Sequence, residues 1–331
     1  MAALLLYDVG VKHGRLILFF FLELVWLQVL CGGAGAGDEL QMYQRFFRMG
    51  DGRIHIRNGH NGHEVNVGLL RQDGSVDQEA LAALDQVFGL AGNGNGEHIS
   101  LRLLFLLDYF SDKVAPGRVI EQYSGYRVPE YNQKLRAEGR IVAFTSTHMD
   151  AMAIDFAIEG VAGKELWESI RREECCGVGH YGGNTVHLDC GRPRFWEAAT
   201  SGVASGESQF NRRMYLSTEY DRYRTGEQAR LALSSVSDYP FGVKKGLGFL
   251  KEGSGGSGGA VVGEIGRADE CAQVRNRADG KSLRVLLPNN LPTGRYRVRI
   301  DFCNKPFPQM PSTITSNPVE VTPATRADWG R

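Results

Sequence analysis

The sequence predicts an α+β domain over residues 37–200, a small antiparallel sheet with helices packed on it, followed by a β-sandwich-like accessory domain over residues 201–331. Three observations carry this expectation. Up to Trp196, stretches with helical spacing of apolar residues are interleaved with stretches that alternate every second residue. Beyond Trp196 the helical spacing gives way to short alternating runs separated by turn residues. At 331 residues the chain is long enough to bury two cores.

The first 36 residues are read as a targeting segment and not as fold. Lys12, His13 and Arg15 precede an apolar run from Leu16 to Leu30, and Ala34-Gly35-Ala36 supplies a small-residue cleavage site. That order is a secretory signal peptide. The run is short for a span of about 20 residues and carries Glu23 and Gln28, so cleavage is favoured over an uncleaved anchor. Such an anchor would be the only link to a membrane.

The elements of the first domain follow in order. Arg53–Ile56 and Glu64–Leu70 flank the Gly/Asn-rich turn from Asn58 to His63 and form a hairpin. The turn chemistry accounts for His60 and His63 as surface residues. Asp77 is an N-cap for a helix over Gln78–Phe88, and Leu101–Phe110 is a second, more buried helix. Arg118–Tyr123 reads as a strand, and Lys164–Glu173 as a short amphipathic helix. In Met152–Ile158, the residues Met152, Ile154, Phe156 and Ile158 share one face; Ala153, Asp155 and Ala157 share the other. Val186–Asp189 alternates likewise and places His187 and Asp189 together.

These strands carry a split polar constellation. His148 precedes the first, Asp155 lies seven residues on, and His187 sits on the second. Two imidazoles and one carboxylate suit a catalytic zinc, which takes three protein ligands, whereas structural sites are closed by four. Antiparallel pairing of the two strands would bring Asp155 and His187 onto one surface, with His148 arriving from the preceding loop.

Four separated motifs extend the pattern: Ser124-Gly125-Tyr126-Arg127 with Asn132, Ser146–Asp155, Gly177–Tyr181, and Val186–Trp196. In this order they resemble the YcbK-like murein endopeptidases, of the D-alanyl-D-alanine metallopeptidase clan that includes hedgehog-type domains. The resemblance covers about residues 50–197. It implies that fold, a zinc held by His148, Asp155 and His187, and Arg127 as the residue that holds a substrate carboxylate. It further implies a zinc metallopeptidase, an endopeptidase or carboxypeptidase, hydrolysing peptide stems or cross-links of peptidoglycan. Relatives in the clan often carry an acid three positions before the last histidine, as general base; here that position is Asn184, and the aromatic expected before Tyr181 is His180. Two roles are then open to Asp189: substitute general base, or a carboxylate that orients His187 through its free N–H. The alternative to an enzyme is a degenerate cell-wall peptide-binding or scaffold protein of the envelope, which Asn184 favours.

The resemblance, together with the expected export, implies a protein of the periplasm or cell envelope that acts on peptidoglycan peptides, and the cysteines fit export. The 38 basic and 38 acidic residues balance, which leaves no electrostatic footprint for nucleic acid. After cleavage five cysteines remain: Cys175, Cys176, Cys190, Cys271 and Cys303. In an oxidising compartment Cys271 can pair with Cys303, and Cys190 with one of the vicinal pair, leaving one free thiol. Beyond Trp196, the short runs Met214–Ser217, Ala229–Val236, Ala260–Ile265, Leu283–Leu287, Arg295–Phe302 and Val319–Val321 suggest the sandwich. Gly253–Gly259 reads as a flexible loop, and the whole segment as a binding or docking module. Because the motifs close at Trp196, residues from about 40 to 200 are expected to fold and bind metal alone.

Overall fold

The computed structural model of the protein describes residues 45–90, 97–140, 142–201, 208–253, 261–265 and 270–323. The expected signal peptide, with its cleavage site, and most of the Gly253–Gly259 loop lie outside these residues. Among the described residues no helix is long and apolar enough to cross a membrane.

The first sheet has seven strands: β1 (Arg53–Asn58), β2 (Glu64–Gly68), β3 (Ile120–Ser124), β4 (Ala153–Ile158), β5 (Gly177–His180), β6 (Val186–Asp189) and β7 (Arg194–Glu197). Their order is β2-β1-β3-β4-β6-β5-β7. The sheet is mixed, and not antiparallel throughout as expected. β1 runs parallel to β3, and β5 parallel to β7. β5 falls within the Gly177–Tyr181 motif, where the two glycines give no strand signal because glycine is depleted in strands.

Helices α1 (Gln78–Phe88), α2 (Leu101–Val114), α3 (Pro129–Ala137) and α4 (Gly163–Arg171) accompany this sheet. Asp77 caps α1 as its residue type predicts, its carboxylate accepting from the N–H groups of Glu79 and Ala80. α2 buries Leu103, Leu104, Leu107 and Phe110 completely, each worth about 1.5–3 kcal/mol relative to exposure. They pack with Ile54, Ile56, Ile154, Phe156 and Leu188 in one core.

The second sheet comprises β8 (Tyr215–Thr218), β9 (Arg222–Arg224), β10 (Gln228–Ser234), β11 (Phe241–Lys251), β12 (Val261–Glu264), β13 (Cys271–Val274), β14 (Leu283–Leu286), β15 (Gly294–Asn304) and β16 (Thr313–Thr322), with the short helix α5 (Arg277–Lys281). Hydrogen bonds join the strands into one path, β12-β11-β15-β16-β8-β10-β14, and an Ile265–Val285 bridge links its two ends. β16 meets β8 at the single pair Ser316–Leu216, with β10 and β14 on the β8 side and β11, β12, β13 and β15 on the β16 side, so the segment is sheet-rich as the sequence predicts. Its core holds Leu231, Phe241, Phe249, Val285 and Ile300.

The change of sheet falls between Glu197 and Tyr215, yet the residues from Arg45 to Arg71 and from Val76 onward form one compact unit. Cys271 and Cys303 are disulfide-bonded, joining β13 to β15. Cys175 bonds its neighbour Cys176, so the pairing expected for Cys190 does not occur. Cys190 is buried and free, its thiol near the Ser100 hydroxyl.

Candidate metal centre

The site is laid out by strand register. Ser124, Asp155, His187, Gly179 and Trp196 are paired in sequence across β3, β4, β6, β5 and β7, forming one row. A second row runs Ala153, Asp189, Gly177, Arg194. Residues directly opposite stand about 4.5–5.5 Å apart, so the register alone puts the carboxylate of Asp155 beside the imidazole of His187. The predicted pairing of these two strands is the one observed.

His148 arrives from outside the row. It sits in a 3-10 turn, Thr147–Asp150, which Ala151 closes with a left-handed φ of 55°. His148 Nδ1 lies 2.7 Å from the carbonyl oxygen of Gly125. A carbonyl only accepts, so Nδ1 carries the proton and the bare Nε2 faces the row. His187 is held in the opposite sense. Its Nε2 is 2.8 Å from Asp189 Oδ2, leaving Nδ1 toward Asp155 Oδ1 at 2.9 Å.

His148 Nε2, Asp155 Oδ1 and His187 Nδ1 therefore converge, with separations of 2.9, 3.3 and 3.4 Å. Zinc bonds of about 2.0–2.1 Å at tetrahedral angles require ligand atoms about 3.3–3.4 Å apart. Two edges of the triangle match one face of such a tetrahedron, the hydrogen-bonded His187–Asp155 edge being shorter, and among the described residues no fourth His, Cys, Asp or Glu joins the group. All three residues are buried.

Charge within the site suits a cation. Burial lowers the pKa of His148 and, with Arg127 and His187 nearby, outweighs the pull of Asp155, which favours the neutral imidazole that a metal needs. Burial opposes ionisation of Asp155, but the two imidazoles outweigh it and hold the carboxylate well below its usual range. His187 moves up despite its burial, because hydrogen bonds to Asp155 and Asp189 favour its protonated form.

Asp189 is completely buried and fully engaged. Its Oδ2 accepts from His187 Nε2 and, at 2.6 Å, from Arg194; its Oδ1 accepts from Arg194 at 3.0 Å and from the Gly191 N–H at 2.9 Å. It shares the strand face of His187 as alternation predicts, but meets the imidazole nitrogen remote from the triangle. Arg127 bonds the Ser124 hydroxyl through Nε and one terminal nitrogen, and the same terminal nitrogen donates to Asp155 Oδ2 at 3.0 Å. Its other terminal nitrogen has no protein partner among the described residues. Asn184 is exposed in the turn between β5 and β6.

Sequence reasoning gave no role to Arg194, Tyr181 or Trp196. Trp196 lies between His187 and Arg194, its ring 5.1 Å and 5.0 Å from them. The Tyr181 ring is 6.3 Å from that of His187. Tyr181 is 44% exposed as a whole, but desolvation of its phenol and the Asp155 carboxylate raise the pKa, so it stays a donor at neutral pH. The signal in the sequence that could have found this cluster is Gly177-Val178-Gly179. A Cβ on Gly177 would stand 2.3 Å from the Asp189 carboxylate, and one on Gly179 would stand 2.4 Å from the Trp196 ring. Alternate glycines on a strand mark a face that other groups must approach closely.

Fold and site together define a mixed sheet-and-helix domain with an open His/Asp/His group able to hold a metal ion. Residues 49–196 match the family described as peptidoglycan L,D-endopeptidase MepK. The peptidoglycan L,D-endopeptidases MepK of Escherichia coli K12 and Shigella flexneri are each 29% identical over 169 residues, covering 50% of this chain and 92% of theirs. A probable peptidoglycan L,D-endopeptidase MepK of Haemophilus influenzae is 38% identical over 79 residues, 24% of this chain and 42% of that protein. No solved structure gives a significant match. Over residues 49–196 the resemblance to the YcbK-like murein endopeptidases is thus shown, motifs, family and relatives agreeing.

Proposed function

We propose that this protein is an exported, zinc-dependent endopeptidase that cleaves peptide cross-links of peptidoglycan. The observation that carries this reading is the buried triangle of His148 Nε2, Asp155 Oδ1 and His187 Nδ1, at tetrahedral spacing with its fourth side open. The relatives are named as endopeptidases, which favours internal cleavage over the carboxypeptidase alternative.

Zinc bound at the triangle supplies Lewis-acid polarisation of the scissile carbonyl and lowers the pKa of the attacking water. The chain's own residues do the rest. The Gly125 carbonyl and the Asp189 carboxylate each hold one imidazole N–H, which fixes both rings and turns their lone pairs inward. Asp189 is a positioning residue in this reading and not the general base, because all four of its contacts lie away from the triangle. Arg127 orients Asp155 and keeps one terminal nitrogen for a substrate carbonyl or carboxylate. Tyr181, its ring 6.3 Å from that of His187, is assigned the role of donating its phenolic proton to the oxygen that gains charge in the transition state.

Digestion of purified cross-linked muropeptides by the full mature chain tests the proposal. Cleavage that a chelator abolishes and zinc restores is expected. Zinc binding without cleavage would instead support the degenerate binding protein that Asn184 favours.

A further inference from the structure

The turn that delivers His148 is held from two sides. One side belongs to the first sheet's own surroundings: Gly125 takes the His148 ring N–H, and the Arg127 N–H donates to the His148 carbonyl at 3.2 Å. The other side is made by the second sheet and its short helix α5. Arg277 donates to the Met149 carbonyl at 2.7 Å and to Asp150 Oδ1 through the same nitrogen. Lys281 donates to the Asp150 carbonyl at 3.1 Å, and the Ser235 N–H donates to Asp150 Oδ2 at 2.9 Å. Asp150 is buried, and every one of these partners comes from beyond residue 230.

The sequence of α5 is built for this grip. Arg277 and Lys281 stand four residues apart and so share one helix face. The Asn276 side chain caps the helix start by accepting from the Asp279 N–H, and Arg275 pairs with Asp279, so the single turn is fixed from within. Lys281 is also tied to Glu97, which leaves both cations committed to the catalytic half.

We propose that the C-terminal half is a positioning device for the metal centre, acting through Arg277 and Lys281 on the Met149–Asp150 backbone and thereby on His148. The proposal rests on the reading of His148 as a ligand. A 3-10 turn of four residues has too few internal hydrogen bonds to hold a ring against the row of β-strands. The clamp supplies that constraint, so a chain ending near residue 200 lacks a part of its metal site. On this proposal residues 40–200 alone bind metal more weakly than the full chain.

Zinc affinity of the full mature chain, measured by competition with a chelating dye well below the melting temperature, tests the clamp. Arg277→Ala should weaken binding about 10–100-fold, as loss of an outer contact to a ligand does. Arg277→Lys should recover part of the loss, since an ammonium keeps the charge and the donors but ends short of the position the guanidinium nitrogen holds between the two oxygens. Arg284→Ala, whose side chain bonds Gln228 on the outer strands, should bind as wild type does. A folded Arg277→Ala protein with wild-type affinity, even at a lower Tm, would overturn the clamp. If Arg277→Ala does not fold, Lys281→Gln and Arg277→Lys decide, and wild-type affinity in both overturns it. A wild-type chain that binds no zinc removes the His148 reading, and the clamp with it.

Discussion

Asp189→Asn separates orientation from proton transfer at this site. The carboxylate accepts four hydrogen bonds, two of them from the Arg194 guanidinium and one from His187 Nε2. Its neighbours are donors on both oxygens, so either orientation of an asparagine turns an NH2 group toward two donors. One orientation loses His187 and one bond to Arg194; the other loses Gly191 and the second bond to Arg194. The His187 ring then loses its anchor or its anionic partner, and Nδ1 is no longer held toward the triangle. Losing such an outer partner weakens metal binding about 10–100-fold, or about 1.4–2.8 kcal/mol. Arg194 is partly exposed and can turn its guanidinium to water, which limits the loss of fold stability. Zinc affinity by chelator competition, and kcat on a cross-linked muropeptide at saturating zinc, are the two readouts. Weakened affinity with kcat within about tenfold of wild type is expected. Unchanged affinity with kcat down about 10²–10⁴-fold is the signature of a general base, and would refute the positional role.

Three further outcomes are expected. Zinc affinity should fall as the pH drops through a value above the ordinary histidine range, by about tenfold per pH unit for one competing proton. The sign follows from His187, whose raised pKa keeps a proton on the nitrogen the metal needs until the pH exceeds it; affinity constant from pH 8 to 5.5 would contradict this. Tyr181→Phe should lower kcat about 10²–10³-fold, the usual worth of one transition-state donor, with zinc affinity unchanged; wild-type turnover would remove the phenol from the chemistry. Gly179→Ala should lower unfolding free energy by about 1–3 kcal/mol through overpacking against Trp196, and a Tm equal to wild type would show that the ring yields freely.

The site was legible where chemistry followed strand alternation. Asp155 and His187 each stand on the polar side of an alternating run, so their meeting needed only antiparallel pairing. His148 was legible by residue type and spacing, but its delivery by a 3-10 turn was not, since four residues give no periodicity to read. The mixed character of the sheet was hidden because β1/β3 and β5/β7 are parallel pairs joined through intervening elements, which no local signal in the strands records. Asp189 shows the limit of face assignment. Alternation placed it beside His187, but only the bidentate contact with Arg194, five residues on, shows which imidazole nitrogen it meets. The grip of α5 on Asp150 joins residues more than 120 positions apart, a distance over which the sequence carries no readable pattern.

The most direct test of the metal centre is X-ray diffraction at the zinc absorption edge from crystals of the protein grown with zinc. One anomalous peak is expected per chain, bonded by His148 Nε2, His187 Nδ1 and Asp155 Oδ1 at about 2.0–2.2 Å, with Asp189 outside bonding distance. A zinc held by other residues, or no peak at the row formed by Ser124, Asp155 and His187, would contradict the account.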